Sequence, residues 1–178
     1  MVKIILVTGG ARSGKSEFAE NYAKSFGEKV LYIATSIPFD DEMKDRVEKH
    51  KKRRPASWKT LEQYKSFTPI STYYDSVLLD CATIMSTNIM FEFKQDWEDS
   101  LQKDIDEIEE IIINEFENLL NSFENIIIVT NEVGFGIVPD NKTSRIFRDI
   151  AGNVNKYIAS VSDEVYLTVC GIATKIKG

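Results

Sequence analysis

The chain is poor in ligands for soft metals: its 178 residues include one histidine, His50, and two cysteines, Cys81 and Cys170, with no C-x-x-C spacing. That supply argues against a cysteine-ligated metal centre or a disulfide framework. Both thiols lie in apolar strand-like runs and read as buried and reduced. No apolar run reaches the length of about 18 residues needed to span a bilayer, so no membrane span is expected. The N-terminus lacks the charged, apolar and cleavage regions of a signal peptide, which places the expected location in the cytoplasm. Linkers, internal repeats and low-complexity tracts are also missing. One domain over residues 1–178 is therefore expected, and a content of 43% hydrophobic and 11% aromatic residues is enough for a sizeable core. A formal net charge of −6 argues against general nucleic-acid binding.

What the chain does have is sharply localised. Gly9-Gly10-Ala11-Arg12-Ser13-Gly14-Lys15-Ser16 matches G-x-x-x-x-G-K-[ST]. The apolar run Lys3-Ile4-Ile5-Leu6-Val7-Thr8 before it predicts a strand, and residues 17–26 predict a helix. A strand, a glycine turn and a helix N-terminus make an anion site. The glycines let successive N–H groups point at a phosphate, Lys15 adds a positive charge, and Ser16 offers a hydroxyl to Mg²⁺. The motif therefore predicts binding of a nucleoside triphosphate.

Strands are expected near 3–8, 30–35, 76–82, 125–130 and 164–170, and helices near 15–26, 40–53, 97–122 and 142–160. Alternation of this kind, with continuous apolar strands such as Val30-Leu31-Tyr32-Ile33-Ala34 and Ile126-Ile127-Ile128-Val129, predicts an α/β fold: a mostly parallel sheet with helices on both faces. Ligands of such sheets collect at the strands' carboxyl ends. Thr8, Ala34-Thr35-Ser36, Asp80 and Asn131-Glu132 should thus share one neighbourhood. Trp97, Leu101, Ile105, Ile108, Ile112, Phe116, Leu119 and Phe123 recur at helical spacing through an acidic stretch, as in an amphipathic helix packed on a core.

Asp80 ends the apolar run Ser76-Val77-Leu78-Leu79. It reads either as the carboxylate that holds Mg²⁺ opposite Ser16 or as a turn or helix cap. Glu132 is a second strand-end carboxylate, able to position Mg²⁺ or a nucleophile. His50 is either structural or, ringed by Arg46, Lys49, Lys51, Lys52, Arg53 and Arg54, a neutral nucleophile among cations that would neutralise an incoming phosphate. Arg145 and Arg148 fit catalytic assistance or a helix salt-bridge pattern. From these features alone a simple kinase and a nucleotide-dependent switch protein both stay open.

The combination of motifs goes further. The phosphate loop, Tyr32-Ile33-Ala34-Thr35-Ser36, Asp41-Glu42-Met43 through Arg46, His50, Arg54-Pro55, Trp58, Asn131-Glu132-Val133-Gly134, Gly136-Ile137-Val138-Pro139, Arg145, Phe147-Arg148-Asp149, Gly152, Asn155, Asp163-Glu164-Val165 and Gly171-Ile172 span nearly the whole chain. Together they resemble the bifunctional adenosylcobinamide kinase/adenosylcobinamide-phosphate guanylyltransferase family of cobalamin biosynthesis. The resemblance implies a phosphate-loop NTPase fold of RecA-like type, phosphorylation of adenosylcobinamide by ATP or GTP, and transfer of GMP from GTP to that phosphate through a guanylylated histidine, here His50. It implies catalytic roles for His50 and Lys15 and nucleotide contacts at Gly9, Gly10, Ala11, Arg12, Ser13, Gly14, Lys15, Ser16, Ala34, Thr35, Ser36, Lys51, Lys52, Arg53, Arg54, Glu62 and Asp80. Mg²⁺ is expected at Ser16 and Asp80, the corrinoid adenosylcobinamide is the expected second substrate, and a homo-oligomer, a trimer, is the expected assembly.

Overall fold

The computed structural model describes residues 3–37, 54–69 and 73–178. The described chain runs β1 (Ile4–Gly9), α1 (Lys15–Lys24), β2 (Val30–Ala34), β3 (Lys59–Glu62), β4 (Ser76–Asp80), α2 (Ala82–Phe93), α3 (Gln102–Ser122), β5 (Ile126–Val129), α4 (Lys142–Val161), β6 (Glu164–Val169) and β7 (Ile172–Lys177). The strands form one seven-stranded sheet in the order β3-β2-β4-β5-β1-β6-β7. Pairing is parallel from β3 to β6, and only β7 runs antiparallel, against β6. This is the α/β arrangement of phosphate-loop NTPases.

Register explains why both faces of the sheet need covering. Leu6, Ile128, Leu79 and Ile33 lie in line across β1, β5, β4 and β2 and join the core beneath α2, α3 and α4, which adds Met85, Ile108, Ile112, Phe116, Ile150 and Ile158. One residue along each strand, Ile5, Val7, Ile127, Leu78 and Tyr32 face the other way and pack with Ala19 and Ala23 of α1. Successive strand residues point to opposite faces, so a strand buried on both sides has no polar alternation left to read.

Several expectations are corrected. Helix α3 begins at Gln102, not near residue 97: Trp97 is fully buried before it, its indole N–H donating to the Lys94 carbonyl (2.7 Å), while Leu101 is exposed. Asp104 sets that boundary by accepting from the Leu101 N–H (3.0 Å) and from Lys94 Nζ (3.1 Å), the capping role that favours a carboxylate in a helix's first turn. Two strands and a helix went unread. β3 is a polar edge strand, β7 is an exposed edge strand, and α2 mixes apolar and hydroxyl side chains on its buried side, Thr83 and Ser86 beside Met85 and Ile89, without a one-sided apolar stripe. Cys81 is buried as expected, whereas Cys170 is exposed in the β6–β7 turn. The expected helix over 40–53 lies outside the described residues.

Candidate functional site

The phosphate-loop motif leaves β1 at the sheet's centre and enters α1 through Gly14, whose φ of +93° suits glycine. The loop is held tightly by its surroundings. A Cβ on Gly9 would stand 2.4 Å from the Thr168 carbonyl oxygen and 2.7 Å from Ser13 Oγ, so only glycine lets the strand pass between them. The β6–β7 turn braces the other side: the Gly171 N–H donates to the Ser13 carbonyl (2.8 Å), and a Cβ on Gly14 would lie 3.1 Å from Gly171 Cα. Cys170 and Gly171 both have positive φ there (51° and 81°), the geometry of a tight hairpin turn.

Within this frame the polar groups are left unspent. Thr8 Oγ1, Ser13 Oγ and Thr168 Oγ1 are buried and without a hydrogen-bond partner; among the described residues the one other such side-chain atom is Ser100 Oγ. A buried hydroxyl with no partner is costly, and three around one glycine loop suit an incoming ligand rich in acceptors. Lys15 is buried and its Nζ donates to the Gly10 carbonyl (2.9 Å). Burial holds its ammonium below the usual lysine range, with Cys81 and Asp80 pulling the other way. An anion in the loop would offer Lys15 a charged partner in place of the carbonyl.

Asp80 ends β4 level with Val129 and Ala34 on the neighbouring strands. One of its oxygens accepts from the Tyr32 hydroxyl (2.9 Å). Burial, with the Asp80 charge behind it, pushes the Tyr32 phenol far above its usual range, so it stays a donor. The guanidinium of Arg54 stacks 3.8 Å above the Tyr32 ring and donates to Thr60 Oγ1 (3.1 Å), a chain of contacts that links Arg54 to Asp80 through one tyrosine. Ser16 stands in the first turn of α1. A serine hydroxyl and an aspartate carboxylate are the hard oxygen donors that suit Mg²⁺ beside phosphate oxygens, so the residues present fit that ion. Cys81, pushed up to about 12 by burial, stays a neutral thiol at physiological pH.

Ala34, Thr35, Ser36 and Glu62 line a cleft of about 460 Å³ at the ends of β2 and β3, together with Gln63 and Tyr64. Thr35 is committed to the frame: its hydroxyl accepts from the Cys81 N–H (2.8 Å) and donates to the Cys81 carbonyl (2.9 Å). Sequence reasoning missed the latch beside it, where Thr83 Oγ1 accepts from the Asn131 N–H (2.7 Å), Thr130 donates to Asn155 (2.6 Å), and Asn155 donates to the Asn131 carbonyl (3.1 Å). It also missed Thr168 and Gly171 as walls of the loop. A hydroxyl at the end of an otherwise apolar strand was the available signal.

Gly9 to Ser16, Ala34 to Ser36, Glu62 and Asp80 thus gather at the carboxyl edge of the sheet, and Arg54 is joined to Asp80 through Tyr32. Glu132 is tied into the same edge by its N–H, which donates to the Gly9 carbonyl (3.0 Å). Arg145 and Arg148 donate to main-chain carbonyls, of Pro139 and Asp140 and of Gly134 respectively. His50, Lys51, Lys52 and Arg53 lie outside the described residues.

Comparison with known proteins agrees along the length of the chain. Residues 5–176 match the family model described as cobinamide kinase / cobinamide phosphate guanyltransferase. The bifunctional adenosylcobalamin biosynthesis protein CobU of Salmonella typhimurium is 45% identical over 182 residues, covering 98% of this chain and 99% of the relative. Its Escherichia coli counterpart is 43% identical over 182 residues, with 98% and 99% covered. The bifunctional adenosylcobalamin biosynthesis protein CobP of Pseudomonas aeruginosa is 37% identical over 177 residues, with 97% and 96% covered.

Proposed function

The chain belongs to the cobinamide kinase / cobinamide phosphate guanyltransferase family, and from that premise we propose that both of its reactions draw on the phosphate-loop edge of the sheet and that GMP passes through His50. It is a bifunctional enzyme of cobalamin biosynthesis, an adenosylcobinamide kinase and an adenosylcobinamide-phosphate guanylyltransferase. The observation that best supports the location is the glycine loop closed around buried, unpartnered hydroxyls and Lys15.

In the first reaction the aminopropanol hydroxyl of adenosylcobinamide attacks the γ-phosphorus of ATP or GTP, loses its proton, and the nucleoside diphosphate departs. Loop N–H groups, the Ser13 hydroxyl and Lys15 meet the charge that builds on the phosphoryl oxygens. In the second, a neutral ring nitrogen of His50 attacks the α-phosphorus of GTP, the α–β bridging bond breaks, and pyrophosphate leaves. An oxygen of adenosylcobinamide phosphate then attacks the same phosphorus, the P–N bond breaks, and adenosylcobinamide-GDP is released with His50 restored. Covalent capture splits one hard displacement into two easier ones. Ser16 and Asp80 are assigned to Mg²⁺, which when bound neutralises charge on the nucleotide phosphates. Arg54, stacked on Tyr32, and Lys51, Lys52 and Arg53 beside His50 serve as nucleotide contacts, as do Ala34, Thr35, Ser36 and Glu62.

A single catalytic domain over residues 1–178 working as a homotrimer in the cytoplasm belongs to the same reading; no helix among the described residues is long and apolar enough to cross a membrane. The test is incubation with α-labelled and, separately, γ-labelled GTP, followed by mapping of label on the protein. Acid-labile α-label on His50, lost in folded His50→Asn while cobinamide phosphorylation persists, is the expected result. Retention of α-label by His50→Asn would sink the assignment.

A further inference from the structure

The segment between β5 and α4 combines two properties that seldom occur together in a surface loop. Its backbone is pinned at both ends. The Glu132 N–H donates to the Gly9 carbonyl (3.0 Å), the Glu132 carboxylate accepts from the Gly134 N–H (3.0 Å), and Arg148 donates to the Gly134 carbonyl (2.6 Å). At the far end Arg145 donates to the Pro139 carbonyl (3.0 Å), and Asn141 caps α4 by accepting from the Ser144 N–H (2.7 Å). Between these ties its side chains are apolar and turned to solvent: Phe135 is 83% exposed, Ile137 96% and Val138 60%. Adjacent exposed apolar groups on a braced loop mark a contact surface, since solvation alone favours polar residues there.

We propose that Phe135, Ile137 and Val138 form the platform that receives the corrin macrocycle of cobinamide, an inference that rests on the family's reaction at the phosphate-loop edge. Position and chemistry select this occupant. The loop's root is hydrogen-bonded to the first glycine of the phosphate motif, so the platform stands on the rim where the substrate's aminopropanol arm must enter. A corrin is too broad to follow that arm into the loop and has to rest outside it. Its methyl- and methylene-covered surface matches the three apolar side chains. The pinned backbone means that little ordering entropy is lost when the ring docks.

The test is the double variant Phe135→Ser/Ile137→Ser, with Ile137→Leu as the conservative control. Cobinamide affinity is read from the visible absorbance of the corrin, GTP affinity by calorimetry, and assembly mass by sedimentation. The double variant is expected to bind cobinamide at least roughly tenfold more weakly, the scale for losing buried apolar anchors, with GTP affinity and mass unchanged, while Ile137→Leu binds as the wild type does. Wild-type affinity for cobinamide in the double variant overturns the platform alone. A change of assembly mass accompanying the loss assigns the surface to a second copy of the chain and also overturns it. A wild-type protein that captures GMP from GTP but binds no cobinamide refutes the platform and the corrinoid half of the functional reading together.

Discussion

At the amino end of β6, the Glu164 carboxylate accepts from the Tyr22 and Tyr166 hydroxyls (2.7 Å each) and pairs with Lys3 (2.8 Å) and Lys175 (3.3 Å). At the carboxyl end of the same strand Thr168 is fully buried and its hydroxyl has no partner. β1 repeats the contrast: the Ile4 N–H donates to the Asp163 carboxylate (2.7 Å), while Thr8 Oγ1 is left unpaired. One edge of the sheet is saturated and stitches β1, α1, β6 and β7 together. The other holds polar groups whose desolvation cost is not recovered within the chain, the pattern expected where a ligand supplies the missing bonds. Satisfied and unspent polar groups are thus divided between opposite ends of the same two strands.

Lys15→Ala puts the largest strain on that division. Loss of one electrostatic contact of this kind costs at least roughly 100-fold in turnover for both reactions. Because burial disfavours the lysine's charge more than its surroundings favour it, and the hydrogen bond it makes among the described residues is to the Gly10 carbonyl, the thermal midpoint should not fall. Near-normal turnover at saturating nucleotide would move the chemistry away from this loop.

The reverse profile is expected at the saturated edge. Glu164→Gln should lower stability by about 2 kcal/mol, the scale of hydrogen bonds to a charged group, and leave turnover at neutral pH unchanged. The Lys3, Tyr166 and Tyr22 bonds hold Glu164 down at about 2, against an ordinary value of 4.5. Its contribution is therefore complete above about 4.5 and is lost as pH falls from there through about 2. Denaturant unfolding across that window should slope in the wild type more steeply than in the variant. Parallel curves would show that the carboxylate does not carry the staple.

Thr168→Val gives the smallest effect and the finest discrimination. Valine keeps the shape and removes an unmade hydrogen bond, so stability should hold or rise by up to about 1 kcal/mol, while nucleotide affinity weakens roughly three- to tenfold. A variant that loses stability and keeps affinity would mean that the hydroxyl belongs to the fold after all.

The two edges were not equally readable in the sequence. Gly9 to Ser16 and Asp80 announce themselves, because local spacing and a carboxylate at the end of an apolar run are one-dimensional signals. The partners that shape the loop, Thr168 and Gly171, come from β6 and its turn, and nothing near residue 9 points to them. The Tyr32 hydroxyl on Asp80 and the Arg54 stack depend likewise on strand order, which puts β2 beside β4. β3 and β7 were missed because edge strands need only one partner and tolerate polar residues, and α2 because hydroxyl residues on its buried side interrupt the apolar periodicity by which helices are recognised. Trp97 fell at helical spacing by coincidence, anchoring the approach to α3 from outside it.

The brace that Gly171 gives Ser13 also bears on when the glycine loop takes its shape. The glycine motif leaves a ribosome before the turn that supports it and the β6 strand that lines it through Thr168, which emerge only after the intervening helices have been made. A growing chain therefore carries the complete motif before it carries the residues that brace it. Closure of β6 onto β1 joins segments about 160 residues apart and belongs to the slow, non-local part of folding. The loop is therefore shaped only once that closure is made.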